Sequence, residues 1–207
     1  MAAMANSRSA KPNSRTSPSQ TAHKIKITLR DSRPPIWRRL EVPSGITLRE
    51  LHDIIQVAFG WEDYHMWAFE SGQNRYGVAD RDLGIRSAAS KRLSQVAPHT
   101  GDRLRYTYDF GDDWEHDILI EDIIKPEPDT AYPRCLTGRR ACPPEDCGGI
   151  WGYDYLIEIL ANPHHEEHED RLEWLGLDSA DQFDPAAFDA ARANSALSAL
   201  AAVLVKS

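Results

Sequence analysis

Three cysteines among 207 residues cannot all pair with one another, so no disulfide framework is expected and a reducing cytoplasm is the natural compartment. Long apolar runs are missing as well. No stretch approaches the roughly 20 consecutive apolar residues of a membrane helix, and the opening MAAMANSRSAKPNSRTSPSQT has no apolar centre of the kind a secretory signal carries, so neither spanning nor export is expected. Positive charge is in deficit: the net charge of −8 argues against coating nucleic acid by bulk electrostatics and leaves that task to a local basic face. No glycine-rich phosphate loop accompanies Asp109-Phe110-Gly111, which is therefore not a kinase signature.

What is present reads as one α+β domain. Residues 1–22 combine Ser, Pro and Asn with Arg8, Lys11 and Arg15, carry no acid, and have too little apolar surface to offset ordering entropy; a disordered arm is expected there. The domain then spans 23–204. Ile25, Ile27 and Leu29 alternate with polar partners as in a half-buried strand, and after the turn at 31–35 the run 36–42 returns as the second strand of a hairpin. Thr47 and Glu50 fit a capping box, and Leu48, Leu51, Ile54, Ile55, Ala58 and Phe59 keep helical spacing up to Gly60. Short strands are expected over 61–70 and 75–78, an irregular stretch over 79–101 with a short helix near Leu93 and Val96, and a second hairpin over 104–110 and 114–124. Hairpin, helix, hairpin suggests a β-grasp-like mixed sheet. A proline-rich loop holding all three cysteines follows, then a helical tail over 151–161, 164–175 and 185–204, with Asp184-Pro185 opening the last helix.

Four blocks stand out: Pro34-Pro35-Ile36-Trp37-Arg38-Arg39, Gly60-Trp61-Glu62-Asp63-Tyr64-His65, the run from Tyr108 to His116, and Cys142-Pro143-Pro144-Glu145-Asp146-Cys147-Gly148-Gly149 with Trp151-Gly152-Tyr153. In order and content, over about residues 24–190, they resemble the plasmid pRiA4b ORF-3-like family. The resemblance implies an α+β fold and a mobile-element setting in which some members carry a resolvase-like passenger label, TnpR. It singles out Asp109, Gly111, Asp112, Trp114, His116, Pro144, Glu145, Asp146, Gly148 and Gly149, and implies no particular reaction. Neither recombinase mechanism is legible, since the early serines lie in the arm and the tyrosines fall in strands or at the start of an apolar helix.

Several constellations carry candidate chemistry. Cys135, Cys142 and Cys147 with His116, or with a histidine of the 164–168 stretch, supply the donor count of tetrahedral zinc, although their spacing lacks the tight knuckle of structural sites. His164, His168 and Glu167 match the pattern of inverted zinc peptidases, but within so acidic a stretch a solvated helix start, favoured by the helix dipole, is the reading preferred over catalysis. Asp109, Asp112, Asp113, Glu115 and Asp117 crowd one hairpin tip and suit a divalent cation, while Asp and Gly are also what tight turns require. Lys24, Lys26, Arg30, Arg38 and Arg39, with Trp37, form a basic hairpin suited to DNA phosphates. Most of the six tryptophans are expected in the core. The combined expectation is a cytoplasmic, non-enzymatic binding or accessory protein linked to mobile elements, with a DNA-binding accessory and a metal-dependent hydrolase as alternatives.

Overall fold

A computed structural model of the chain describes residues 21–204. Most of the expected arm, residues 1–20, lies outside the described residues. Ala22, placed at the end of that arm, already pairs with Pro43 and Ile124 as the first residue of β1.

Strands β1 (Ala22–Leu29) and β2 (Trp37–Pro43) form the expected hairpin. Helix α1 (Leu48–Phe59) is bounded as its sequence dictates: the Thr47 side chain accepts from the Glu50 amide, the Glu50 carboxylate accepts from the Thr47 amide, and Gly60 at φ 91° ends the helix. β3 (Trp67–Ser71), β4 (Asn74–Gly77), β5 (Ile85–Ser87) and the one-turn helix α2 (Leu93–Val96) follow. β6 (Arg103–Tyr108) and β7 (Trp114–Ile124) make the second long hairpin, and β8 (Arg134–Arg139) comes after it. The chain ends in α3 (Gly149–Ala161), α4 (His168–Leu175) and α5 (Ala190–Leu204).

All eight strands join one sheet in the order β5-β4-β3-β6-β7-β1-β2-β8, antiparallel except for the parallel β4–β5 pair. The single α+β domain with a mixed sheet and a C-terminal helix is therefore present. α1 and α5 pack together, and α5 also packs on β8. Ile25, Ile27, Leu29, Leu40, Leu51, Ile55, Ile118 and Ile120 are all within 2 % of full burial in the layer between sheet and helices. α5 also shields the edge strand: Asn194 accepts from the Cys135 amide at 2.7 Å and donates to its carbonyl at 2.9 Å, occupying backbone groups that an exposed edge leaves open.

The structure departs from the sequence reading in several places. β5 forms within the stretch expected to be irregular, and α4 starts at His168 and not at 164. Residues 61–66 form a loop where a strand was expected, because the Asp63 amide donates to the Gln56 side chain and not to a neighbouring strand. Strand β8 runs through the proline-rich segment; its prolines flank the strand, leaving residues 134–139 free to pair with β2. α5 starts at Ala190 and not at Pro185: the Asp189 carboxylate accepts from the Ala191 and Arg192 amides, whereas the Pro185 carbonyl accepts from the Ala141 amide and ties that segment to the cysteine loop. Of the six tryptophans, Trp61, Trp67 and Trp114 are buried, while Trp151 and Trp174 on the helical tail are exposed.

Thr47→Ala removes one half of the capping box and is expected to cost about 1 kcal/mol in urea unfolding, with Thr47→Ser restoring most of it. An unchanged midpoint in Thr47→Ala would show that sheet packing alone fixes the start of α1.

Candidate metal centre

Three loops that are far apart in sequence meet at one end of the sheet. The first, residues 60–66, leaves α1 through Gly60 and is pinned at Asp63, which has φ 58°. His52 Nε2 lies 2.7 Å from one Asp63 oxygen and Arg49 donates to the other at 2.9 Å. Tyr106 lies 2.8 Å from His52 Nδ1 and receives a bond from Gln56, so a chain of polar groups runs from the core to this loop. Burial drives the His52 pKa down to about 4 against the opposing pull of Asp63; the imidazole is neutral, donating to Asp63 and accepting from Tyr106.

The second loop is the β6–β7 turn. Asp109 at φ 55° accepts from the Gly111 amide at 2.8 Å and donates its own amide to Met66, so turn and first loop are stitched together. The third, 143–149, reaches both: Trp61 Nε1 donates to the Pro143 carbonyl at 3.1 Å, and the Glu62 amide donates to Glu145 at 2.6 Å. Asp112 accepts from the Gly148 amide at 3.1 Å, and Gly149 lies so close that a Cβ there would sit 2.4 Å from the Asp112 carbonyl oxygen.

The side chains delivered to this junction are His65, Asp109, Glu145 and Asp146. His65 Nδ1 lies 3.6 Å from Asp109, and Nε2 lies 3.2 Å from Asp146 and 3.5 Å from Glu145. One donor atom each from His65, Asp109 and Asp146 falls within a 4.8 Å cluster. His65 Nε2 is itself buried and makes no hydrogen bond. No Lys or Arg pairs with these three carboxylates among the described residues, and His65 is the basic side chain that faces them. Tyr108 donates to both Glu145 oxygens at 3.1 Å; burial first, then the Glu145 charge, pushes the Tyr108 pKa well above the usual phenol range and keeps it a donor. A hollow of about 330 Å³ opens beside Glu145 and Asp146.

His52, Asp53 and Asp63 form a second cluster of donor atoms. There Arg49 bridges Asp53 at 3.0 Å and Asp63 at 2.9 Å, and both His52 nitrogens have partners, so an internal cation already balances the carboxylates.

The other sites expected from sequence are dispersed. Cys135, Cys142, Cys147 and His116 do not appear in any group of three or more clustered metal donors among the described residues. His116 is fully buried, packed edge-on against Phe59 and Trp61, and burial drives its pKa down to about 3. Burial raises the pKa of all three thiols, that of Cys147 to about 12. His168 is buried with Nδ1 2.9 Å from the Ile159 carbonyl, and Glu167 bonds Arg171 and Tyr155, so the peptidase-like pattern is spent on local structure. At the hairpin tip only Asp109 joins the cluster. Glu115 pairs with Arg30 and Arg105, Asp117 with Arg30, and Asp112 with the Gly148 amide.

The basic hairpin also needs correcting. Arg38 is buried on the opposite face from Lys24, Lys26 and Arg39 and cannot reach a DNA backbone. Arg39 is held by both Glu121 oxygens at 2.6 and 2.8 Å, and Lys26 and Arg39 lie over the Trp37 ring. Lys24 and Lys26 add to the positive field that, after the Arg39 hydrogen bond, lowers the Glu121 pKa. The neutralising acid, Glu121, comes from β7.

The profile of the family described as plasmid pRiA4b ORF-3-like protein matches residues 21–192. The chain belongs to that family. A relative, the uncharacterized protein y4hQ of Sinorhizobium fredii, is 38 % identical over 182 residues, covering 86 % of this chain and 92 % of that protein. The crystal structure of a protein of unknown function, MM3350 from Methanosarcina mazei Go1, is similar at a TM-score of 0.76 and 36 % identity, covering 84 % of this chain and 97 % of that one. Three of the four sequence blocks that carried the resemblance are the loops meeting at His65. His65 escaped the sequence analysis as a ligand because it has no histidine or cysteine at ligand spacing; its position between Trp61 and Trp67, inside a family block, was the available signal.

Because His52 and His116 are held neutral with pKa values near 4 and 3, the folded state binds fewer protons than the unfolded chain below about pH 6.5. Their stabilising contribution is full above that pH and is lost as pH falls toward 4, each adding a slope of about 1.4 kcal/mol per pH unit. Urea unfolding between pH 4.5 and 6 checks this: His116→Phe is expected to flatten the slope by one proton's worth, and an unchanged slope would contradict the neutral assignment.

Proposed function

We propose that the protein is a divalent-cation-binding accessory module, with His65, Asp109 and Asp146 as ligands and Glu145 completing the set. The observation that carries this reading is the buried, unbonded His65 Nε2 facing carboxylates that have no Lys or Arg partner among the described residues. A buried polar atom that makes no hydrogen bond is costly, and carboxylates around it with no Lys or Arg partner leave room for a cation. One imidazole nitrogen with carboxylate oxygens suits a borderline ion such as Mn²⁺, Fe²⁺ or Zn²⁺ better than Ca²⁺, which takes six to eight oxygens. The ion would lock three loops together, an accessory role that fits the mobile-element setting implied by the family resemblance. A DNA-binding role finds less support, since Arg30 and Arg39 are paired internally and Arg38 is buried.

The hollow favours a second reading, a metal-dependent hydrolase, because it is lined by Glu145 and Asp146, two of the four carboxylate and imidazole groups of the proposed centre. In that reading His65, Asp109 and Asp146 would hold the ion, which would supply Lewis acidity, and Glu145, positioned by Tyr108, would be the carboxylate free to accept a proton.

Untagged protein titrated with Mn²⁺ and Zn²⁺ by calorimetry is expected to bind one equivalent of at least one of them. Saturation at 100 times Kd should add about 2.7 kcal/mol to unfolding. Asp146→Asn changes an exposed side chain and should weaken binding at least tenfold with little change in apo stability, and His65→Ala should abolish it. Folded protein that binds neither ion, or binds equally well in both variants, would overturn the assignment.

A further inference from the structure

A second cavity, of about 700 Å³, lies on the helical face of the sheet between the end of α1, the loop at 141–142 and the start of α5. Its walls are mainly apolar, with Val57, Phe59, Phe188, Ala193 and Ala196; the exposed Arg192 and Asp189 border it at the start of α5, and its deeply buried charge is Arg38, only 2 % exposed. Arginine remains a cation even when burial lowers its pKa. Yet no carboxylate lies within 4.0 Å of Arg38 among the described residues.

The guanidinium is held instead by neutral groups. Nε donates to the Ala58 carbonyl at 3.0 Å and Nη1 donates to the Trp37 and Arg139 carbonyls, each at 3.0 Å. Phe59 and Phe188 lie against it with centroids 4.9 and 4.1 Å away. Nη2 makes no hydrogen bond among the described residues and is not among the fully buried unbonded atoms, so it is the nitrogen open to the cavity. The wall is preformed, because a Cβ at Gly138 would lie 2.7 Å from the Phe188 ring and only glycine lets that ring sit there. Asp189 also borders the cavity, but its carboxylate is engaged by the Ala191 and Arg192 amides at the start of α5. Residues 1–20 contain no acid that would supply the missing charge.

From this geometry we infer a binding site for a small carboxylate with an apolar body, its carboxylate on Arg38 Nη2 and its body against Phe59, Phe188 and the alanines of α5. A buried cation without a fixed anion is what burial normally forbids, and a ligand carboxylate would relieve it while the apolar remainder leaves water. The volume is within the range of small-molecule sites, most of which pair apolar walls with a few placed polar groups. The site is separate from the His65 cluster and does not depend on a metal there.

The test uses the full-length protein with octanoate, the neutral octanamide and inorganic phosphate in titration calorimetry. Octanoate is expected to bind with one-to-one stoichiometry and at least tenfold more tightly than either comparison compound. Ala196→Trp, at an exposed position of α5 that makes none of the Arg38 bonds, should fill the cavity and weaken octanoate at least tenfold while the protein stays folded; Arg38→Gln, if folded, should equalise octanoate and octanamide. Equal affinity of the wild type for octanoate and octanamide would overturn the inference. So would phosphate binding as tightly as octanoate, no octanoate binding by folded protein, or indifference to Ala196→Trp.

Discussion

Two backbones touch where Gly149 meets Asp112, and the candidate centre depends on that contact. A side chain at 149 would place its first carbon 2.4 Å from the Asp112 carbonyl oxygen, and Gly149 has φ 68°, a conformation open to glycine at little cost. With the neighbouring Gly148 amide bonded to the Asp112 carboxylate, the 143–149 loop is clamped onto the β6–β7 turn, and Glu145 and Asp146 come within reach of His65. Asp63, Asp109, Asp113 and Asp146 all have φ between 55° and 58°. Aspartate tolerates left-handed backbone better than most residues other than glycine, and these four positions turn the chain sharply around one junction.

Beneath the loops lies an aromatic floor that makes the junction rigid. His52 stacks on Trp67 at 3.9 Å, Trp61 lies against Phe59, Tyr108 and Trp114, and His116 meets Phe59 and Trp61 edge-on. Two imidazoles in this layer remain neutral because desolvation outweighs every nearby charge that would favour protonation. The Tyr106–His52–Asp63 chain carries that rigidity outward, coupling the core to the loop that bears His65.

On the solvated face the sheet pairs its own charges. Arg30, just after β1, pairs with Glu115 of the adjacent β7, and Arg39 of β2 reaches Glu121 of β7 across the intervening β1, each pair more than 80 positions apart in sequence. Exposed pairs of this kind contribute little stability each, but they engage Arg30 and Arg39, two of the cations that looked available for DNA. The opposite face holds Arg38, buried with no acid in ion-pair reach among the described residues.

The local elements were legible in the sequence because their causes are local: the alternation of Ile25, Ile27 and Leu29 sets a strand face, and Thr47, Glu50 and Gly60 bound α1 whatever surrounds them. Burial of Arg38 was also within reach, since it shares the period-two face of Ile36, Leu40 and Val42, but the charge of the side chain argued the other way. β5 and β8 were not legible, being short strands whose hydrogen bonds come from partners elsewhere in the chain. The same holds for the site. The residue types of the family blocks were visible as words, but His65, Asp109 and Asp146 become one cluster only when the sheet sets β3, β6 and β7 side by side and Gly149 lets the last loop approach. Sequence determined which side chains were on offer and which segments would be strand or helix; long-range pairing and backbone contact decided which charges found partners and which were left facing a cavity, because distance in space is set by tertiary packing and not by spacing along the chain.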